Sequence, residues 1–195
     1  MHDVSVFEDY ARDGSWSGLP VVAVSLSLEG KIKTSPLETA NEIIELHPTI
    51  VIFSSAGKNR IIGCREWVMS VVSKVLQLCS NSAWSFIFKI DNTEDIIPFV
   101  NLMHETISKG AAFIHLEIAP PSSIDFPMNE MGNLMELTLN DETFFDISNK
   151  TDYEFAKKVI TELQLPNATI RASKSLHRLG SWMKKDGLSA RQQWW

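Results

Sequence analysis

Val21-Val22-Ala23-Val24-Ser25-Leu26-Ser27-Leu28, then Ser35-Pro36-Leu37-Glu38, then Thr49-Ile50-Val51-Ile52-Phe53: these three runs decide the fold. The first is rich in valine and follows Gly18-Leu19-Pro20, which predicts a strand. The second is a helix start, with Ser35 as cap, Pro36 at the first helical position and Glu38 completing a capping box. Leu37, Ala40, Ile43, Ile44 and His47 follow at helical spacing, and Pro48 stops the helix. The third run is short and apolar throughout, as a strand buried on both faces would be. Strand, helix and strand in that order describe a parallel unit with a right-handed crossover.

The same alternation continues along the chain. Residues 65 to 79 predict a helix with Trp67, Val68, Val71, Val72, Val75, Leu76 and Cys79 inward. Trp84 to Ile90 predicts a strand. Asn92 with Asp95 can cap a helix carrying Ile96, Phe99, Val100, Met103 and Ile107, with Pro98 in its early turns and Gly110 as its stop. Ala112 to Ile118 predicts a fourth strand. Pro120-Pro121-Ser122-Ser123 predicts a loop, and Leu134 to Leu139 with Thr143 to Ile147 could form a hairpin around Asn140-Asp141-Glu142. Thr151 with Glu154 offers another capping box, opening a helix with Phe155, Val159, Ile160 and Leu163 inward. Thr169 to Ala172 reads as a fifth strand. Ser175 to Lys185 reads as a last helix, with Leu176, Leu179, Trp182 and Met183 inward. The expected fold is α/β, with a mostly parallel sheet of about five strands joined by helical crossovers. This would be a partial, shortened βα-barrel with a small hairpin at 134–147. One domain would cover 1–185 and a frayed tail 186–195.

Composition narrows the function classes. The chain has 195 residues, 44% of them hydrophobic, enough for a substantial core, and a net charge of −6. That charge disfavours nucleic-acid binding through the overall field. The basic residues between Arg171 and Arg191 read as solvated helix and tail charges. The two cysteines, Cys64 and Cys79, cannot alone build a tetrahedral zinc site or hold an iron–sulfur cluster. They fall near opposite ends of one expected helix, where no disulfide could join them, and free thiols suit a reducing compartment. The N-terminus does not read as a secretory signal, and no apolar run approaches the ~20 residues of a membrane helix. A cytoplasmic protein without a membrane partner is the expectation.

In parallel α/β folds the chemistry sits at the carboxyl ends of the strands. Ser54-Ser55-Ala56-Gly57-Lys58 is a small-residue loop whose amides could cradle an anion, or it is an ordinary strand-to-helix turn. It lacks the first glycine and the final Ser or Thr of a P-loop. Lys89 ends the third expected strand. His115 and Glu117 lie two apart on the fourth and share a face, as a metal pair, an acid–base pair or a polar stripe. His177 reads as a surface residue. No catalytic constellation, metal site or cofactor motif is present, so no catalytic residue, metal or cofactor is assigned. Ser54, Ser55, Gly57, Lys58, Lys89, His115 and Glu117 are the candidate ligand-binding residues. Trp194 and Trp195, which would be costly to leave in water, are the candidate partner-binding residues.

The order of segments carries a resemblance. Asp13-Gly14-Ser15-Trp16-Ser17-Gly18-Leu19-Pro20 with Val21 to Leu26 resembles the opening of the radical S-adenosylmethionine family of 7-carboxy-7-deazaguanine synthases. The segment from Ser35-Pro36-Leu37-Glu38 through Ile52-Phe53 is similar to that family's first helix and second strand. Phe86 to Asp95 is similar to a later strand and helix start, and Thr169 to Trp182 to its closing strand and turn. The resemblance implies a radical-SAM-like fold. It also implies a place after the first expected strand for the three cysteines, Cys-x3-Cys-x2-Cys, that hold a 4Fe–4S cluster. Here that place reads Glu29-Gly30-Lys31-Ile32-Lys33. The family's Gly-Gly-Glu-Pro motif falls where this chain has Ser54-Ser55-Ala56-Gly57. Without thiolate ligands no cluster forms to deliver the electron. The expectation is a catalytically silent domain that binds a protein partner or itself, as a subunit of a larger assembly. The alternatives are an enzyme or sensor for a nucleotide-like ligand, and a structural assembly protein.

Overall fold

A computed structural model describes residues 3–12, 14–27, 32–55, 60–80, 83–91, 95–107, 111–118, 132–165, 167–172 and 176–194; for Arg60 and Trp194 it describes the backbone alone. The expectations for Leu28, Gly57, Lys58, Asn92, Gly110, Pro120 to Ser123 and Trp195 lie outside the described residues. The protein is α/β and mostly parallel, with eight strands among the described residues rather than about five. It divides into two compact units, 1–90 with 96–114, and 91–95 with 115–195.

In the first unit β1 (Val4–Tyr10) runs antiparallel to β2 (Pro20–Leu26), and β2, β3 (Ile50–Ser55) and β4 (Ser85–Asp91) are parallel neighbours in chain order. Strand β1 escapes a hydrophobicity reading because its Glu8 and Asp9 break the apolar pattern. Register sorts the side chains onto two faces. Val22 pairs with Val51 and Val51 with Phe86; Val24 pairs with Phe53 and Phe53 with Phe88. All of these are buried. Helix α4 (Ile97–Thr106) packs on this face, its Phe99 edge-on to Phe88 at 5.2 Å. The helix α1 (Pro36–Glu45) packs against α3 (Arg65–Leu78), and α3 against α4, while the short α2 (Arg60–Gly63) packs against β3. On the opposite face Ala11, Val21, Ile50, Ile52 and Ile87 cluster beneath Trp16 and Phe113.

Helix α1 starts as expected: Ser35 accepts from the Leu37 N–H, and Glu38 accepts from the Ser35 N–H. Helix α4 does not. Its N-cap is Ile96, without a side-chain cap, and Pro98 in the first turn removes a donor that needed none. Cys64 and Cys79 are the two caps of α3; both are free and half-buried.

The second unit takes the end of β5 (Ala111–Ile118), which is parallel to β6 (Glu142–Ile147). Strand β6 is parallel to β7 (Ala168–Ala172), and β7 to β8 (Arg191–Trp194). The hairpin expected at 134–147 is absent. Residues 132–135 form the short helix α5 (Gly132–Met135), and only 142–147 is strand. The Asp141 carboxylate accepts from both the N–H and the hydroxyl of Thr138, which closes a local turn and leaves β6 to pair with β5 and β7 instead. The segment read as a frayed tail contributes β8, which completes the ladder of β7.

Helix α6 (Lys150–Leu163) begins at Asn149 rather than Thr151. The Asn149 side chain accepts from the Asp152 N–H, and Asp152 accepts from the Ser148 N–H, so the cap falls two places earlier. Tyr153 is fully buried, whereas Leu163 is exposed at the helix end. Helix α7 (Leu179–Asp186) ends on left-handed Gly187. Tyr153 donates to Asp186 at 3.0 Å, Lys157 reaches the same carboxylate at 3.2 Å, and the Trp182 ring lies 5.4 Å from that of Tyr153. These contacts tie α6 to α7.

Candidate functional site

The second unit concentrates polar side chains on one sheet face. His115 pairs with Glu142, Glu117 with Phe144, Phe144 with Thr169, Thr169 with Arg191, and Asp146 with Arg171. Lateral partners share a face, so these eight side chains stand together. The other face carries Leu116, Ile118, Phe145, Ile147, Ile170 and Ala172, all buried. Helix α7 approaches that face at Gly180, which lies close against the Gln192 side chain.

At the carboxyl ends of β5, β6 and β7 the polar face is organised by Arg171, whose side chain is only 12% exposed. Its Nε and Nη2 donate to the two oxygens of Asp146 at 2.6 and 3.0 Å, a bidentate pair. Its Nη1 and Nη2 donate to Glu117 at 3.2 and 3.1 Å. The guanidinium lies 5.1 Å from the Phe144 ring centre. His115 stacks on Phe144 at 3.6 Å between centroids, and its Nε2 lies 3.7 Å from Glu117. Toward the amino-terminal ends of the strands, Arg191 of β8 donates to the buried Glu142 of β6 at 2.6 Å. The sequence placed His115 and Glu117 on one face. It did not show that Arg171 sits between Glu117 and Asp146, because that needs the β5–β6–β7 register. The alternation Glu142, Phe144, Asp146 against Thr143, Phe145, Ile147 was the available signal.

In the first unit Ser54 and Lys89 line a cleft of about 250 Å³ with Ser25, Asp9, Tyr10 and Arg12. Ser25 and Ser54 are register partners at the ends of β2 and β3. Ser55 pairs with Leu26 on the other face and does not line the cleft. Arg12 bonds Asp9 at 3.1 Å across the rim. Between β2 and α1, the Thr34 hydroxyl and the N–H groups of Lys33 and Thr34 all donate to Asp3, which holds that carboxyl down at about 2. The Thr34 carbonyl accepts from the Trp67 indole at 2.9 Å. A carboxylate and an indole thus anchor the far end of the segment where the resemblance would place cysteines.

Trp194 belongs to β8, paired with Ala172. Among the described residues no three His, Cys, Asp or Glu side chains are grouped to hold a metal ion, and no helix is long and apolar enough to cross a membrane. No family model matches the chain, and neither a curated protein nor a solved structure matches it.

Proposed function

We propose that this chain is a catalytically silent, radical-SAM-like partial βα-barrel that works in the cytoplasm by binding a protein, as a subunit of a larger assembly. One observation carries the reading: the polar groups described at the strand ends of the second unit are bonded to or stacked on one another. Arg171 gives its donors to Glu117 and Asp146, and His115 lies flat on Phe144. Reactive groups must instead be presented to a substrate. The cysteine content supports the same reading, because two thiols at the caps of α3 cannot supply three ligands to one cluster.

Trp194 and Trp195 are the proposed partner contacts. Removing residues 187–195 would delete β8, so the test replaces both tryptophans with serine and leaves the backbone intact. Mass photometry and pull-down should show the intact chain in a complex and the variant released from it. A monodisperse monomer without a partner in both forms would refute the proposal.

The cleft at Ser25, Ser54 and Lys89 favours a second reading, a binder of nucleotide-like ligands. Cationic and hydroxyl groups at parallel strand ends suit an anionic ligand. Thermal-shift measurements with S-adenosylmethionine, which brings a carboxylate, with purine nucleotides and with carboxylated deazapurines test it. A rise in melting temperature that is lost in Lys89→Met is expected, and a flat response across all three would exclude it.

A further inference from the structure

We propose that a groove at the amino-terminal ends of β6 and β7 docks a basic, amphipathic helix of a partner protein. The groove has a volume of about 720 Å³ and lies in the second unit, between the α5–β6 connection and the end of α6. Leu134, Thr143 and Leu165, all buried, contribute to its floor. Its walls hold the large apolar side chains that this unit, among the described residues, leaves in water: Met135 at 79% exposure, Leu139 at 76%, and Leu163. Scattered exposed apolar side chains need no explanation, but three converging on one concavity mark a binding surface.

The groove is already shaped to receive an occupant. Thr138 donates twice to Asp141, and the Asn167 side-chain amide donates to the Leu139 carbonyl, so the wall bearing Leu139 is held from both sides. Left-handed Gln164 turns the chain at the other wall.

The lining also specifies the occupant. Its charged residues are Asp141 and Glu162, with no lysine or arginine, so the complementary partner is basic. Strands β6 and β7 are each paired on both sides, so an extended peptide would find no strand edge to join. A helix satisfies its own backbone and needs only apolar anchors at i, i+3, i+4 and i+7. Leucines at that spacing would fill the groove, and a flanking lysine would face the exposed Glu162 carboxylate, while the buried Asp141 adds negative potential beneath it.

The test measures fluorescence anisotropy with the full chain and a labelled Leu/Lys peptide of about four helical turns, leucines on one face. Saturable binding is expected. It should weaken at least about tenfold in Leu139→Glu and in Met135→Glu, side chains exposed enough that circular dichroism should show both variants folded. A peptide of the same composition in scrambled order, and a Leu/Glu peptide of the same pattern, should bind at least as much more weakly. Equal binding of the scrambled peptide, or unchanged binding in both variants, would overturn the proposal, since attraction to a chain of net charge −6 would then suffice. Concentration-dependent self-association lost in Leu139→Glu would also overturn it, because the occupant would then be a second copy.

Discussion

Replacing Arg171 with methionine tests whether the strand-end network is a structural element. Methionine keeps much of the apolar stem and removes every donor. Arg171 makes four charge-assisted hydrogen bonds, two to each carboxylate. Fully buried bonds of this kind contribute about 1.5–3 kcal/mol each. Glu117 and Asp146 are 40% and 45% exposed, however, so both can rehydrate when the guanidinium leaves. Each ion pair is then worth about 1 kcal/mol, between the surface and buried limits. Loss of the guanidinium over Phe144 adds about 0.5–1 kcal/mol. The expected destabilisation is about 2–3 kcal/mol, read as a lower urea midpoint with an unchanged slope. Arg171→Lys should lose more than half of this, because an ammonium cannot grip Asp146 through two parallel bonds. A double-mutant cycle with Asp146→Asn should return a coupling of about 1 kcal/mol. High salt should weaken the wild-type network little, since Arg171 is mostly shielded from solvent. A loss below about 0.5 kcal/mol in Arg171→Met would refute the reasoning and restore the strand ends as groups available to a ligand.

Tyr153→Phe should cost about 1–2 kcal/mol by removing the bond to Asp186 from a buried ring, measured by urea unfolding. Burial, and after it the Asp186 carboxylate, raises the Tyr153 pKa above its ordinary 10.0. Its contribution is therefore complete below about pH 10 and declines above it, so the wild type should lose its advantage over Tyr153→Phe only in strong alkali. Asp3→Asn should cost about 1 kcal/mol, less than the shift from 3.8 to about 2 alone implies, because solvent screens this carboxylate. A depressed pKa stabilises above the unfolded value, so the difference between wild type and Asp3→Asn should be constant above about pH 5 and vanish as pH falls from 4 to 2. Thermal melts across that range will show it. Gln164→Gly should raise stability by about 0.5–1 kcal/mol, because the cap is left-handed at φ 51 and glycine takes that conformation without strain. An unchanged or lower melting temperature would count against that geometry.

The sequence alone determined the elements whose signals are local. Strands β2, β3, β4, β5 and β7 follow from apolar runs, and α1 from Ser35, Pro36 and Glu38, because a capping box needs only neighbours three residues apart. It also determined that the chain lacks the cysteines a cluster would need. Tertiary structure decided what depends on distant partners. Strand β1 carries Glu8 and Asp9 and is a strand because β2 offers its edge. Strand β8 was read as a tail because nothing in Arg191-Gln192-Gln193-Trp194 is apolar until Trp194, yet β7 supplies its ladder. The α6 cap moved from Thr151 to Asn149 because Asp152 could turn back to the Ser148 N–H. His115 and Glu117 were visible as a pair, since alternation along one strand is local. Arg171 joins them across two strand pairings and a separation of 54 residues to Glu117, and the groove beside Leu139 forms only where a turn, a helix end and two strand starts meet. Side-chain alternation is written in the chain; register is set by pairing, and pairing is decided by the whole sheet.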